Sequence, residues 1–205
     1  MLGTIIGIIL IGAVAAGPIM SNVEAPNYDV VTVENNIEIR QYAPMIVAEV
    51  QIDGKREDSI GEGFRLLADY IFGNNIAKQD IAMTAPVQQQ EGNKIAMTAP
   101  VQQQKEGGTW QISFVMPSEY SMDTLPKPVN DLVKLKKIPA KQFVVIRFSG
   151  TKSDVNVEEH EEKLMKYVQS KNILVIGSPK YAFYNPPWTL PFMRRNEVMI
   201  EIQRQ

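Results

Sequence analysis

The chain lacks cysteine altogether, and histidine is nearly absent from its 205 residues. The absence of cysteine excludes disulfide bonds, thiolate metal sites, cysteine nucleophiles and cysteine-linked lipid anchors. It does not identify the redox compartment, because a protein without thiols is compatible with oxidising and reducing surroundings. The single histidine is His160. A zinc-protease motif would need a second histidine four positions later, where the chain has Leu164.

A strong net charge is also missing, because the formal net charge is only −2. Nucleic-acid binders usually carry a basic stripe, so we expect no nucleic-acid partner. The sequence shows no nucleophile beside a base, no carboxylate pair with plausible geometry and no phosphate-binding loop. This pattern favours a binding protein over an enzyme. The composition, 44% hydrophobic and 21% charged, is typical of one globular domain with a core.

The first 20 residues differ from the rest of the chain. Residues 2–20 contain no charged side chain, and the first charge is Glu24. The stretch approaches the roughly 20 apolar residues that a membrane span needs. An uncleaved anchor explains this length and tolerates the glycines within it. A cleaved signal peptide would end at the small residues 13–16, although no Lys or Arg precedes them. A buried soluble helix is the third alternative.

The uncleaved anchor and the cleaved signal peptide both place the domain outside the cytoplasm, unless the anchor inserts in the opposite orientation. We therefore expect a membrane-anchored or exported protein, periplasmic or otherwise extracytoplasmic, with the membrane as a partner through residues 1–20. Residues 21–27, which include Pro26, are predicted to be a linker, and residues 28–205 are predicted to be the binding domain.

Hydrophobic periodicity predicts two helices among short strands. Ile60, Phe64, Leu67 and Ile71 share one helical face, so a helix is predicted over 58–72, capped by Asp58 or Ser59. A second helix is predicted over 155–170, with Ser153 or Asp154 as its cap and Val157, Leu164 and Val168 as its apolar stripe. Alternating or apolar runs predict strands at 28–34, 37–41, 45–52, 109–116, 132–138, 142–149, 181–184 and 197–202.

Two groups of residues carry a family resemblance. One is Tyr-Asn-Pro-Pro-Trp at 184–188, followed by Pro191-Phe192 and by Arg-Arg-Asn-Glu-Val at 194–198. The other is Ile-Ala-Met-Thr-Ala-Pro-Val at 81–87. Together they resemble the SOUL family of haem-binding proteins over residues 28–202. The resemblance implies an α+β fold: a distorted antiparallel β-barrel or paired sheets flanked by two helices, with a pseudo-twofold repeat of ββαββ. Bacterial effector-binding domains that hold apolar cations share this architecture.

A duplication interrupts the family pattern, which uses the Met-Thr-Ala-Pro-Val segment once. Residues 81–90 are repeated letter for letter at 95–104, with a turn at 91–94 between the copies. Two short units are too few for a solenoid. We expect one copy to take the family's strand position and the other to form a hairpin extension or a loop. The glutamine runs and Gly107-Gly108 favour an exposed, mobile connection.

The resemblance implies non-covalent binding of haem or another tetrapyrrole in an apolar cleft, with the first helix as one wall and a role as carrier or buffer. Arg65 on that helix, or Arg194 or Arg195, would contact the carboxylates. The implied cofactor-binding residues are Gly63, Arg65, Leu66, Tyr70, Met83, Trp188 and Arg194.

Each of these residues also has an ordinary structural explanation. One of Arg194 and Arg195 would pair with Glu197 or an acidic neighbour and brace the last strand, and Trp188 with its two prolines would cap the barrel end. Met83, like Met97 in the second copy, is either an axial ligand or core packing. His160 is expected to be a half-exposed helix residue, and the first half of the domain has no histidine to ligate iron.

Two other function classes remain open at this point. A non-haem interaction module would take a peptide, a lipid or an apolar cation in the same cleft, with the glutamine-rich extension as its recognition element. A tetrapyrrole-modifying enzyme would need a proton donor in the cleft. Product formation separates this enzyme from a carrier.

Overall fold

The computed structural model describes residues 23–77 and 92–203. The N-terminal segment 1–20 and the first copy of the duplication, with Met83, lie outside the described residues. Within the described ranges no helix is long and apolar enough to cross a membrane. The helices are α1 Arg56–Ile71 and α2 Asp154–Ser170. The strands are β1 Tyr28–Glu34, β2 Ile37–Tyr42, β3 Met45–Ile52, β4 Asn75–Ile76, β5 Val101–Glu106, β6 Thr109–Val115, β7 Lys127–Pro128, β8 Lys134–Ile138, β9 Lys141–Phe148, β10 Val175–Phe183 and β11 Asn196–Ile202.

Nine of the strands form one antiparallel sheet in the order β1-β2-β9-β11-β10-β5-β6-β3-β8, and β4 pairs only with β7. The predicted α+β fold with two flanking helices is confirmed. The outer strands β1 and β8 are not paired with each other, so the sheet is open rather than a closed barrel. The sequence pattern missed β4 and β7 and predicted only the end of β10, whereas the strand expected from one copy of the duplication is present as β5.

The sheet order contains the predicted pseudo-twofold repeat. From its centre the order reads β5-β6-β3-β8 on one side and β10-β11-β9-β2 on the other. Each half therefore contributes two strands, a helix and two strands in the same sequence order, and the halves exchange their first strands. The exchange ties the halves together, because β2 pairs with β9 and β8 pairs with β3.

Helix α1 begins two residues earlier than predicted, at Arg56, with Lys55 at the N-cap position. The Ser59 hydroxyl donates to the Lys55 carbonyl at 2.7 Å instead of capping a free amide. Ile60, Leu67 and Ile71 are buried as predicted, whereas Phe64 is 38% exposed. Phe64 nevertheless packs on the sheet, with its ring centroid 5.4 Å from that of Phe114 in β6.

Helix α2 follows Ser153, the predicted cap residue, but no side-chain capping bond forms there. Its predicted stripe of Val157, Leu164 and Val168 is buried against β9 and β11. Both helices lie on one face of the sheet. We call the opposite side the helix-free face; Tyr42, Phe143, Val145, Ala182 and Met199 form its separate apolar cluster.

The second copy of the duplication provides β5, which pairs with β6 and β10 in the middle of the sheet. The prediction of an exposed glutamine-rich connection is wrong for this copy, because Gln102 and Gln103 are buried. The Gln103 amide donates to the Arg56 carbonyl at 2.7 Å, which gives the buried side chain a backbone partner. The first copy stays untested.

Candidate functional site

The Arg-Arg-Asn-Glu-Val run encloses a buried carboxylate at the start of β11. Glu197 is fully buried. Arg40 of β2 donates two hydrogen bonds to the Glu197 carboxylate, from Nη1 to Oε2 at 3.0 Å and from Nη2 to Oε1 at 3.1 Å. Arg195 donates from Nη2 to Oε1 at 2.7 Å, and the Tyr184 hydroxyl donates to Oε2 at 2.8 Å. The prediction that one of the two arginines pairs with Glu197 is confirmed for Arg195.

The electrostatic surroundings of Glu197 favour the ionised form of its carboxyl. Burial alone would raise the pKa of the Glu197 carboxyl. The hydrogen bond from Arg40 and the charges of Arg195 and Arg40 outweigh burial and hold that pKa below 4.5. Arg40 also donates from Nε to Glu38 at 2.6 Å. Two arginines thus face two carboxylates, so the network is balanced without a ligand, and its role is structural.

The loop between β10 and β11 carries an exposed apolar surface. The loop surface consists of Trp188, Leu190, Phe192 and Met193, which are 70%, 44%, 73% and 43% exposed. The prediction that Trp188 caps the end of the sheet is therefore wrong: its ring lies in solvent. Large apolar side chains exposed together in this way mark binding surfaces more often than single ones do.

Arg194 holds the loop in this shape from within. Its Nε donates to the Thr189 carbonyl at 2.7 Å and its Nη2 donates to the Pro187 carbonyl at 2.5 Å. The Gly150 amide donates to the Pro191 carbonyl at 2.8 Å, which joins the loop to the start of α2. These bonds fix the backbone while its apolar side chains stay in solvent, so the loop surface is formed before any ligand arrives.

Positive charge lies beside the loop surface. Partial burial of the Lys152 amine, with the nearby charges of Arg56 and Arg194, lowers the pKa of Lys152. Arg56 is buried at the start of α1, where its Nε donates to Asp154 at 2.5 Å and its Nη2 donates to the Lys152 carbonyl. Because Asp154 already balances the charge of Arg56, an anionic group bound near Lys152 would mainly relieve the repulsion between Lys152 and Arg194.

The residues predicted on α1 serve mainly to dock the helix. A Cβ on Gly63 would lie 2.7 Å from Cβ of Ile112, so this glycine allows the close approach of α1 to β6. Tyr70 is buried, and its hydroxyl donates to the Pro126 carbonyl at 2.9 Å. Leu66 packs half-buried against the core, and Arg65 is exposed. Of the predicted site residues, the structure brings Trp188 and Arg194 together; the binding roles themselves stay predictions.

Two cavities open on other parts of the surface. The end cavity, of about 590 Å³, lies between residues 24–27 and the ends of β3, β6 and β8, with Pro26, Met45, Met116, Tyr120 and Lys137 in its wall. The sheet cavity, of about 360 Å³, lies on the helix-free face and is lined by eight strands and their connections, with Phe143, Lys180 and Met199 in its wall. Lys180, on β10, was not identified from the sequence.

His160 is half-buried, as predicted, and its ring stacks on Phe148 with centroids 4.1 Å apart. Its Nδ1 lies 2.7 Å from the Asn156 carbonyl of the preceding turn. In the described ranges, no three side chains of the His, Asp or Glu type group together in a way that would hold a metal ion.

Arg40 and Phe192 were also missed by the sequence reasoning. In β2, Ile37 and Ile39 point to the side of the sheet that the helices cover, so the alternation places Arg40 on the helix-free face. The alternation does not indicate that this face is buried at Arg40. Phe192 follows Pro191 in the apolar run 190–193, and the apolar character of this run does not distinguish an exposed loop from a packed one.

The structure resembles solved proteins of low sequence identity. The EcmrR C-terminal domain matches with a TM-score of 0.58 at 13% identity, over 87% of this chain and 99% of that chain. EcmrR in a complex with DNA matches with the same TM-score over 57% of its chain. A hydrolase from Listeria innocua matches with a TM-score of 0.53 at 9% identity, over 84% of this chain and 94% of that chain. These likenesses show the fold alone.

At the sequence level, no curated protein matches the chain significantly. The family model described as "SOUL heme-binding protein" matches residues 23–201, which is most of the chain. That match includes the Arg-Arg-Asn-Glu-Val network and the loop surface described above. The chain therefore belongs to the SOUL haem-binding protein family.

Proposed function

We propose that this protein binds haem or another tetrapyrrole non-covalently on the loop surface and acts as a carrier or buffer. The observation that carries the proposal is the pre-formed exposure of Trp188 and Phe192, 70% and 73%, on a loop fixed by Arg194. A flat macrocycle covers large apolar side chains of this kind and removes them from water. Family membership supplies the ligand class.

The residues around the loop fit the chemistry of such a ligand. The aromatic and aliphatic side chains suit the apolar faces of the ring, and Lys152 beside Arg194 suits its carboxylates. Met193, 43% exposed, offers a thioether to the iron. Haem itself supplies the iron chemistry when bound. The loop supports a binding role, because its functional side chains are apolar or cationic and none is an acid–base pair.

The open surface suits reversible loading. A carrier must release its ligand, and a site on an exposed loop needs no large opening motion to do so. For the same reason a dechelatase is disfavoured, since that reaction requires a proton donor and exclusion of water. We propose that residues 1–20 tether this carrier to a membrane, with an exported soluble form as the alternative.

The test is a titration of residues 21–205 with ferric haem, followed by the Soret band. We expect saturable 1:1 binding. Trp188→Ala/Phe192→Ala should weaken it at least about tenfold, since each buried aromatic side chain is worth roughly 1.5–3 kcal/mol. Phe72→Ala is the matched control, because Phe72 is also exposed, at 58%, but lies at the end of α1. It should bind within about twofold of wild type.

Two outcomes would contradict the proposal. Unchanged affinity in Trp188→Ala/Phe192→Ala, with a loss in Tyr120→Ala, would place the tetrapyrrole in the end cavity instead of on the loop surface. The absence of saturable binding by the folded wild-type domain would favour a non-haem interaction module.

A further inference from the structure

The sheet cavity is a second candidate site, separate from the loop surface. It lies on the helix-free face, and Glu197, Met199 and Glu201 follow one another along β11 on this face. Glu197 belongs to the buried arginine network, whereas Met199 and Glu201 line the cavity. At about 3.3 Å per residue, Glu201 lies roughly 13 Å from Glu197 along the strand. The network therefore separates the cavity from the β10–β11 loop.

A break in strand pairing shapes the mouth of the cavity. The register of β10 against β11 shifts between Ile176 and Lys180. Gly177, inside this shift, has φ of +71°, a conformation that favours glycine. Ile176, Gly177 and Ser178 all line the cavity. β-bulges of this kind re-aim side chains next to binding sites, and here the bulge directs Lys180 inward beside Phe143.

The lining carries one more positive charge than negative charges. Four lysines and three glutamates contribute, namely Lys105, Lys136, Lys141, Lys180, Glu49, Glu106 and Glu201. Two of the lysines are paired with carboxylates. Lys141 Nζ lies 2.6 Å from Glu201, and Lys136 Nζ lies 3.6 Å from Glu49. The excess positive charge is therefore left on the remaining lysines, of which Lys105 is exposed.

Lys180 is the half-buried lysine that has no counter-ion. Among the described residues its amine makes no hydrogen bond or ion pair, and it lies 5.8 Å from the centroid of the Phe143 ring. Burial, followed by the charge of Lys141, lowers the pKa of Lys180 to about 8, with Lys136 adding to the effect and Glu201 and Glu49 opposing it. A half-buried ammonium without a partner is costly, and a bound anion would remove that cost.

The rest of the wall suits an apolar body with a few polar edges. Tyr42, Val47, Phe143 and Met199 supply the apolar part, and Gln102, Gln111 and Ser113 supply amides and a hydroxyl. A volume of about 360 Å³ is at the lower end of the range for small-molecule sites. The wall thus combines one unpaired cation, apolar area and neutral hydrogen-bonding groups.

We propose that the sheet cavity binds a small monocarboxylate with an apolar body, with its carboxylate on the Lys180 amine and its body against Phe143 and Met199. The charge of the lining favours a monoanion. A dianion such as phosphate would meet Glu49 and Glu201 with only one unpaired half-buried lysine to balance it. The proposal does not depend on tetrapyrrole binding by the loop surface.

The test uses benzoate with the full-length chain, with benzamide as its neutral analogue. We expect saturable binding of benzoate by calorimetry at pH 7 and none of benzamide at the same concentration. Lys180→Met should weaken benzoate binding at least about tenfold. Lys166→Met, at an exposed lysine of α2 outside the cavity, should leave the affinity for benzoate within about twofold of wild type.

Binding of benzoate should also weaken about tenfold between pH 7 and pH 9.5, because Lys180 loses its proton near pH 8.

A second measurement protects the test against a misfolded variant. Lysine side-chain NMR of the wild-type chain should show that saturating benzoate raises the pKa of Lys180, since the bound carboxylate stabilises the ammonium. No saturable binding by the wild type would overturn the proposal. So would binding that leaves the pKa of Lys180 unchanged, or that survives in a folded Lys180→Met protein.

Discussion

At the residue scale, Glu197 is the side chain on which the family's Arg-Arg-Asn-Glu-Val motif depends. It is shared by Arg40, Arg195 and Tyr184, and its replacement leaves Arg195 without its carboxylate and the buried Arg40 with only Glu38. We expect Glu197→Gln to lower the free energy of unfolding by about 3–5 kcal/mol, the usual cost of breaking a buried ion pair from one side. Urea unfolding measures it.

The matched control is Glu159→Gln, which removes a carboxylate from the exposed pair with Lys163 on α2. Its urea midpoint should be close to that of wild type, because exposed pairs contribute little. Equal midpoints for Glu197→Gln and wild type would contradict the structural role of the network.

The same carboxyl predicts a pH dependence. Because its folded-state pKa is held below the ordinary 4.5, the ionised Glu197 contributes stability that is complete above that value. The contribution is lost as the pH falls below 4.5 towards the folded-state pKa. Urea midpoints between pH 7 and pH 3 should therefore fall more steeply for wild type than for Glu197→Gln. Parallel pH profiles would show that the pKa of Glu197 is not lowered.

The pairing of Arg195 with Glu197 could be predicted from the sequence, because an acidic residue two positions away on a strand shares its face. Arg40 could not be predicted, since β2 and β11 are separated by most of the chain and lie on either side of β9 only because the halves exchange their first strands. Trp188 shows the opposite limit. Its large apolar side chain predicts burial, but its position on the loop that Arg194 holds in place leaves it exposed.

At the scale of elements, Gly63 tests how α1 docks on the sheet. A methyl group at this position would lie 2.7 Å from Cβ and Cγ1 of Ile112. Gly63→Ala should therefore lower the free energy of unfolding by about 1–3 kcal/mol through overpacking. Gly61→Ala on the open side of the same helix should raise it by about 0.5–1 kcal/mol. Thermal unfolding of the pair measures both, and a stabilised Gly63→Ala protein would contradict the observed helix position.

The duplication gives a second test at this scale. Deleting residues 81–94 leaves one complete copy of the segment before Lys105, so β5 keeps its sequence. We expect the free energy of unfolding to change by less than about 1 kcal/mol, because shortening a loop changes its closure entropy only slightly. Deleting 81–104 removes β5 from between β6 and β10 and should prevent folding. Circular dichroism separates the outcomes, and unfolding of the shorter deletion would show that both copies are required.

The two helices could be predicted because their apolar residues repeat with the helical period over four turns. Strand β5 has no such periodicity, because Val-Gln-Gln-Gln-Lys-Glu has neither alternation nor β-branched residues after Val101, so only the family resemblance predicts a strand from one of the two copies. Its place in the sheet comes from tertiary pairing, and the bond from Gln103 Nε2 to the Arg56 carbonyl offsets part of the cost of burying that side chain. The sheet cavity was equally hidden, since it depends on the bulge before Lys180.

At the scale of the whole molecule, the proposed anchor and the proposed signal peptide predict different masses. A tethered protein keeps residues 1–20 and should be recovered from the membrane fraction at its full 23.0 kDa. A cleaved signal peptide would leave a chain lacking about the first 16 residues, in the soluble exported fraction. Intact-mass spectrometry of both fractions measures this. A full-length chain confined to the soluble fraction would contradict both.

Trp188 is a built-in probe of tetrapyrrole binding by the loop surface. The chain has two tryptophans, so Trp110→Phe leaves Trp188 as the only one. Its fluorescence should be quenched by ferric haem in a saturable manner, with an end point at one equivalent and the same midpoint as the Soret change. Quenching that rises without saturation, or Soret binding that leaves Trp188 fluorescence unchanged, would contradict tetrapyrrole binding at the loop surface.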